Sequence, residues 1–204
     1  VGTADDLAQI LDFPDEAGRA RLLPALLRAQ RLRGVRPPGD LAAVLRGFVE
    51  RPMLADDALR LIGAWGVKGL QPLLGTKARL SPAAMEALVA LDPAAAAELF
   101  ASGASADVLP AFFTRSQAVE ALTAALRRSA PTPAAAQGAL RVLRARGLSH
   151  AGLDALLQAA AGESGAGWVF SQAFADELAA EVREKGNAAR GREVFHRAEL
   201  ACAA

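Results

Sequence analysis

Proline and glycine recur along this chain at such short intervals that no element can run far. Between these breaks the apolar residues return at i, i+3, i+4 and i+7, the spacing of one buried face on an α-helix. Short amphipathic helices joined by tight turns are what this rhythm gives. Composition points the same way. Hydrophobic residues make up 52% of the 204 residues, and alanine and leucine dominate them, while aromatics are 5% with no tyrosine. Alanine and leucine favour helix, and the β-branched and aromatic residues that favour strands are scarce, so the chain reads as all-α.

Individual helices can be placed from their punctuation. Thr3-Ala4-Asp5-Asp6 resembles a capping box opening a helix through about Phe13. Leu22, Leu23, Leu26, Leu27 and Leu32 give a second apolar stripe, with Pro24 expected to open a fresh turn or kink the helix. After Arg36-Pro37-Pro38-Gly39, Asp40 caps a helix carrying Leu41, Val44, Leu45 and Phe48. Four further helices are expected in the segments beginning Ser81-Pro82, Asp92-Pro93, Ala106-Asp107 and Ser116-Gln117, each with a Ser or Asp as N-cap candidate.

The chain is similar to itself in two places. The segments ALRLIGAWG at 58–66 and ALRVLRARG at 139–147 match in register, each ends in glycine, and each precedes a second apolar helix carrying LQPLL or LDALL. Their separation of 81 residues is about two units of the roughly 40-residue helix pair found in HEAT and armadillo arrays. The expected fold is therefore an α-solenoid of degenerate HEAT/armadillo-like repeats over residues 1–186, in which each helix pair buries its apolar face on its neighbours. A four-helix bundle is disfavoured by the number of short helices. Residues 162–167, GESGAG, read as the clearest linker. Beyond them Phe170, Phe174, Leu178 and Val182 run up one side of a helix closed by Gly186, the expected last helix of the array.

Several function classes are excluded or weakened. With net charge +1 there is no global field for nucleic acid or an anionic membrane, and Asp12, Asp15, Glu16 and Asp40 dilute the arginines between Arg19 and Arg36. A solvated helix face explains those arginines better than a nucleic-acid groove. No apolar run approaches the roughly 18 residues of a membrane span. A single cysteine leaves no disulfide framework and no cysteine-based zinc site. No phosphate loop, HExxH motif or framed carboxylate pair appears. His150 beside Ser149 lacks an orienting third group and reads as a polar helix start, and Trp65 and Trp168 read as core or inter-repeat residues. The chain starts at Val1 without an export signal and closes on Leu200-Ala201-Cys202-Ala203-Ala204 with apolar character still building, so both ends read as cuts in a longer chain.

The last 25 residues carry a more specific pattern. Asn187 can cap a short helix whose one face holds Gly191, Val194, Phe195 and Ala198, the glycine leaving room for another helix to cross. The stretch AEVREKGNAARGREVFHRAELACAA resembles the lead-in to the haem-c domain of planctomycete-type haem-binding CxxCH proteins. In that family a HEAT-like region runs through an EVR-KG-ARG--VF-R--L stretch into the Cys-x-x-Cys-His haem attachment sequence. The matching residues are Glu181, Val182, Arg183, Lys185, Gly186, Ala189, Arg190, Gly191, Val194, Phe195, Arg197, Leu200 and Cys202. The resemblance implies that residues 187–204 are the truncated start of a cytochrome c domain and that Cys202 is the first thioether-forming cysteine for haem c. Ala203 and Ala204 are then its two spacers, and His196 is an exposed helix residue rather than an iron ligand. It further implies an exported parent, periplasmic or in the cell envelope, with a quinoprotein-like sugar dehydrogenase β-propeller upstream and an electron-donor domain or redox protein as partner. In such a protein the helices position the haem for electron transfer, and residues 1–204 are themselves non-catalytic. Read from the residues alone, the alternative is a plain HEAT-like protein-interaction module with an incidental cysteine.

Overall fold

The computed structural model describes residues 3–162 and 172–195, and these are helical, with no strand among them. The chain divides into two compact units, residues 1–164 and 165–204. The division falls inside the glycine-serine stretch 162–167. The helix assigned by the sequence to the end of the array thus lies in the second unit.

The first unit holds α1 (Ala4–Leu11), α2 (Glu16–Arg33), α3 (Leu41–Val49), α4 (Ala55–Ala64), α5 (Gln71–Lys77), α6 (Pro82–Leu91), α7 (Pro93–Ala101), α8 (Ser116–Arg128), α9 (Pro133–Ala145) and α10 (Ala151–Ala160). Two 3-10 segments, Lys68–Leu70 and Ala106–Thr114, complete it. The starts follow the caps read from sequence. Thr3 and Asp6 form the reciprocal capping box of α1, and the Asp40 carboxylate accepts from the Ala42 and Ala43 amides at 3.1 Å each. Ser81 and Asp92 cap α6 and α7 by accepting from Ala84 N at 3.2 Å and Ala95 N at 3.0 Å.

Three expectations are corrected. Pro24 does not open a fresh helix, because α2 runs through it; the proline sits on the exposed side, where the carbonyl that loses its donor can be hydrated. Leu32 is 76% exposed, since the core face of α2 is set by Leu23, Leu26 and Leu27 instead. The segment Ala106–Thr114 is a 3-10 helix rather than an α-helix: Pro110 lacks the N–H that an α-helical turn would need there, and the chain takes the tighter spiral. In addition, Ser116 is the first residue of α8 and not its cap, which is Arg115 without a side-chain bond.

Packing follows chain order. One row runs α2 on α4, α4 on α6, α6 on the 106–114 segment and that segment on α9, while α7 on α8 and α8 on α10 form a second row. Links between the rows are made by α6 on α7, α8 on the 106–114 segment and α10 on α9, while α3 and α5 flank the first row on α4 and α6. A single apolar cluster threads the unit from Leu7 to Ala161. Small residues set the closest approach. A Cβ on Gly63 would lie 2.7 Å from the Ala87 Cα, so α4 and α6 touch through backbone where any larger residue would force them apart.

The internal similarity has a structural counterpart. Val67 N donates to Ile62 O at 3.0 Å and Gly66 N to Gly63 O at 3.3 Å; 81 residues later Leu148 N donates to Leu143 O at 2.9 Å and Gly147 N to Arg144 O at 3.2 Å. Both glycines are left-handed, at φ +66° and +61°, so α4 and α9 end in the same Schellman turn.

The second unit contains α11 (Gln172–Lys185) and α12 (Ala188–Phe195). Gly186 N closes α11 on Val182 O at 2.8 Å, and the Asn187 side chain accepts from Arg190 N at 3.0 Å to start α12. Val182 is 60% exposed, and no described atom lies within 4 Å of a Cβ built on Gly191, so the close crossing expected at that glycine is not seen among the described residues.

Candidate functional site

Cys202, expected to carry haem c, lies outside the described residues, as do His196 and Trp168. The remaining candidates are placed. The His150 ring is the N-cap of α10: Nδ1 accepts from Leu153 N at 3.3 Å, and the His150 amide donates to the Asp154 carboxylate at 3.0 Å. A ring nitrogen held as a cap acceptor is not poised as a base for Ser149. Trp65 is buried, 4% exposed, at the end of α4.

Two of the arginines between Arg19 and Arg36 are engaged with neighbouring elements. Arg19 donates to Phe13 O and lies over the Phe48 ring at 5.0 Å, and Arg36 donates to Trp65 O at 3.2 Å. Their acidic neighbours are engaged too, Asp15 and Asp40 as helix caps and Glu16 opposite Arg51 at 3.8 Å. Among the described residues no group of three or more His, Cys, Asp or Glu is placed to hold a metal ion. Nor, among them, is any helix long and apolar enough to cross a membrane.

Two concavities of the first unit stand out in chemistry. The first, about 640 Å³, lies where the α7–106 turn faces the α8–α9 turn; its walls are mainly small or apolar, including Phe100, Ala104, Leu126, Pro131 and Ala135. Two of its hydroxyls belong to residues already used in turns: Thr132 caps α9 on Ala135 N, and Ser102 bonds Leu99 O and Arg79.

The second groove, about 370 Å³, crosses the first row of helices. Its small-residue wall is Gly63, Ala64, Ala87 and Ala90, and the polar side chains around it are Gln30 and Arg31 from α2, Arg60 from α4, Glu86 from α6, and Thr114 and Arg115. Arg60 pairs with Asp57 at 3.2 Å and with Glu86 at 3.4 Å, while Arg115 donates to Ala90 O at 3.3 Å. Arg31 is exposed and forms no ion pair or hydrogen bond with the described residues. Gln30 donates through Nε2 to Ala64 O at 3.3 Å, leaving a buried Oε1 without a partner among the described residues. No local sequence pattern announces this groove, since its residues are drawn from positions 27 to 115 and meet only when the helices stack.

Comparison of the chain with known protein families, with curated proteins and with solved structures finds no match.

Proposed function

We propose that the helices of the first unit form an α-solenoid of degenerate HEAT/armadillo-like repeats and act as a scaffold, presenting surfaces to partner proteins. The observation that supports this most directly is the packing by rows, in which each element rests on near neighbours in the chain. The Schellman turn repeated 81 residues apart adds to it.

We further propose that the full-length protein uses this scaffold to carry a haem c for electron transfer, in an exported, periplasmic or envelope-bound protein with an electron-donor domain or redox protein as partner. This rests on the sequence of residues 181–202. Covalent attachment of haem c needs two thiols and an axial imidazole in one short segment, and the chain contains one cysteine. Its own residues therefore do not fit a complete haem site. On this reading the second thiol and the axial imidazole would come from residues outside 1–204, and the porphyrin chemistry would lie there. What the present residues supply is a capped lead-in, with Gly186 closing α11 and Asn187 opening α12 ahead of Cys202.

Mass spectrometry of the protein purified from its native source tests this. A peptide containing Cys202 that bears covalent haem is the expected result. An unmodified Cys202 removes the electron-transfer reading and leaves the plain helical-repeat interaction module.

A further inference from the structure

We infer that the groove across α2, α4 and α6 is a docking site for an acidic peptide of a partner protein. The groove is built from residues 27–115 and does not depend on whether Cys202 carries haem. The groove is basic. Arg31, Arg60 and Arg115 converge on a groove that holds one carboxylate, Glu86, and that carboxylate is already paired with Arg60. Arg31 is without a partner among the described residues, and Arg115 spends one donor on Ala90 O, so both retain guanidinium donors for an incoming carboxylate.

Shape agrees with this occupant. Gly63, Ala64, Ala87 and Ala90 keep one wall low enough for a main chain to lie against it, and about 370 Å³ suits a short extended segment. The Glu86 carboxylate and the lack of aromatic stacking surfaces in the groove argue against a nucleic-acid strand.

The test is an NMR titration of the full chain with the peptide acetyl-Ala-Glu-Ala-Glu-Ala-amide, its Gln-for-Glu counterpart, and inorganic phosphate. The expected result is that the Glu peptide shifts the amides of Ala64, Ala87, Ala90 and Thr114, that the Gln peptide does not, and that added salt weakens the binding. Arg31→Glu and Arg115→Glu alter exposed side chains, and each should weaken binding about tenfold or more, the scale of losing one charge-assisted contact. A circular dichroism spectrum like that of the parent shows that these variants are folded. Equal shifts from phosphate or from the Gln peptide overturn the acidic-peptide assignment, as does absence of shifts at millimolar Glu peptide. Tighter binding of a short DNA duplex at the same amides also overturns it, in favour of a nucleic-acid site.

Discussion

The helix ends at 58–67 and 139–148 share a sequence pattern and a turn, yet their surroundings differ. In the first, α4 lies between α2 and α6, the position before the turn is Gly63 pressed on Ala87, and Trp65 is buried. In the second, α9 rests on the 106–114 segment and on α10, and the equivalent positions are the exposed Arg144 and Arg146. The turn is thus a local property, built by a left-handed glycine and the apolar residues around it, while the residues facing outward from the helix are set by what stacks on it.

The strongest effects should come where the two copies agree. Ile62→Ala and Leu143→Ala, equivalent and both buried, should each destabilise the protein by about 2–5 kcal/mol in urea unfolding. A large loss at one and a negligible loss at the other would break the equivalence. The next pair should separate the copies. Gly63→Ala inserts a methyl into the α4–α6 backbone contact and should cost about 1–3 kcal/mol, whereas Arg144→Ala on an exposed face should cost under about 1 kcal/mol. Equal losses would show that α4 and α6 can move apart freely.

Smaller and again matched effects are expected at the turns. Gly66→Ala and Gly147→Ala each place a Cβ on a left-handed residue with open space around it, so about 1 kcal/mol of backbone strain is expected at both. The smallest effect concerns α1, which has no copy in the comparison. The Thr3 backbone amide, and then its hydroxyl, hold the Asp6 carboxylate below its ordinary value of 3.8. A carboxylate with a lowered folded value adds stability that is present above the ordinary value and fades as pH falls through the lowered one. Asp6 should therefore titrate below 3.8 by carbon-13 NMR, and Thr3→Ala should raise it.

Much of the local structure was legible in the sequence. Thr3, Asp40, Ser81 and Asp92 announce helix starts because a short polar side chain can satisfy the free amides of a first turn, and all four do so. Gly66 and Gly147 announce stops for the complementary reason. The misreadings share a cause as well. Leu32 reads as core and Ala106–Thr114 as α-helix because periodicity reports an apolar face without reporting whether a neighbour covers it or whether Pro110 permits the bonds. The basic groove is illegible for the same reason: Arg31, Arg60, Glu86 and Arg115 are far apart in sequence, and only the stacking of α2, α4 and α6 assembles them.

Stacked helices that lean on near neighbours should feel damage locally. Leu157→Ala in α10 of the full chain, followed by amide hydrogen exchange, is the most direct probe of this. Protection should fall in α8, α9 and α10 and stay at its original level in α2, α3 and α4. An equal loss of protection in every helix of the first unit would instead mean a single all-or-none core, and would contradict the proposed array.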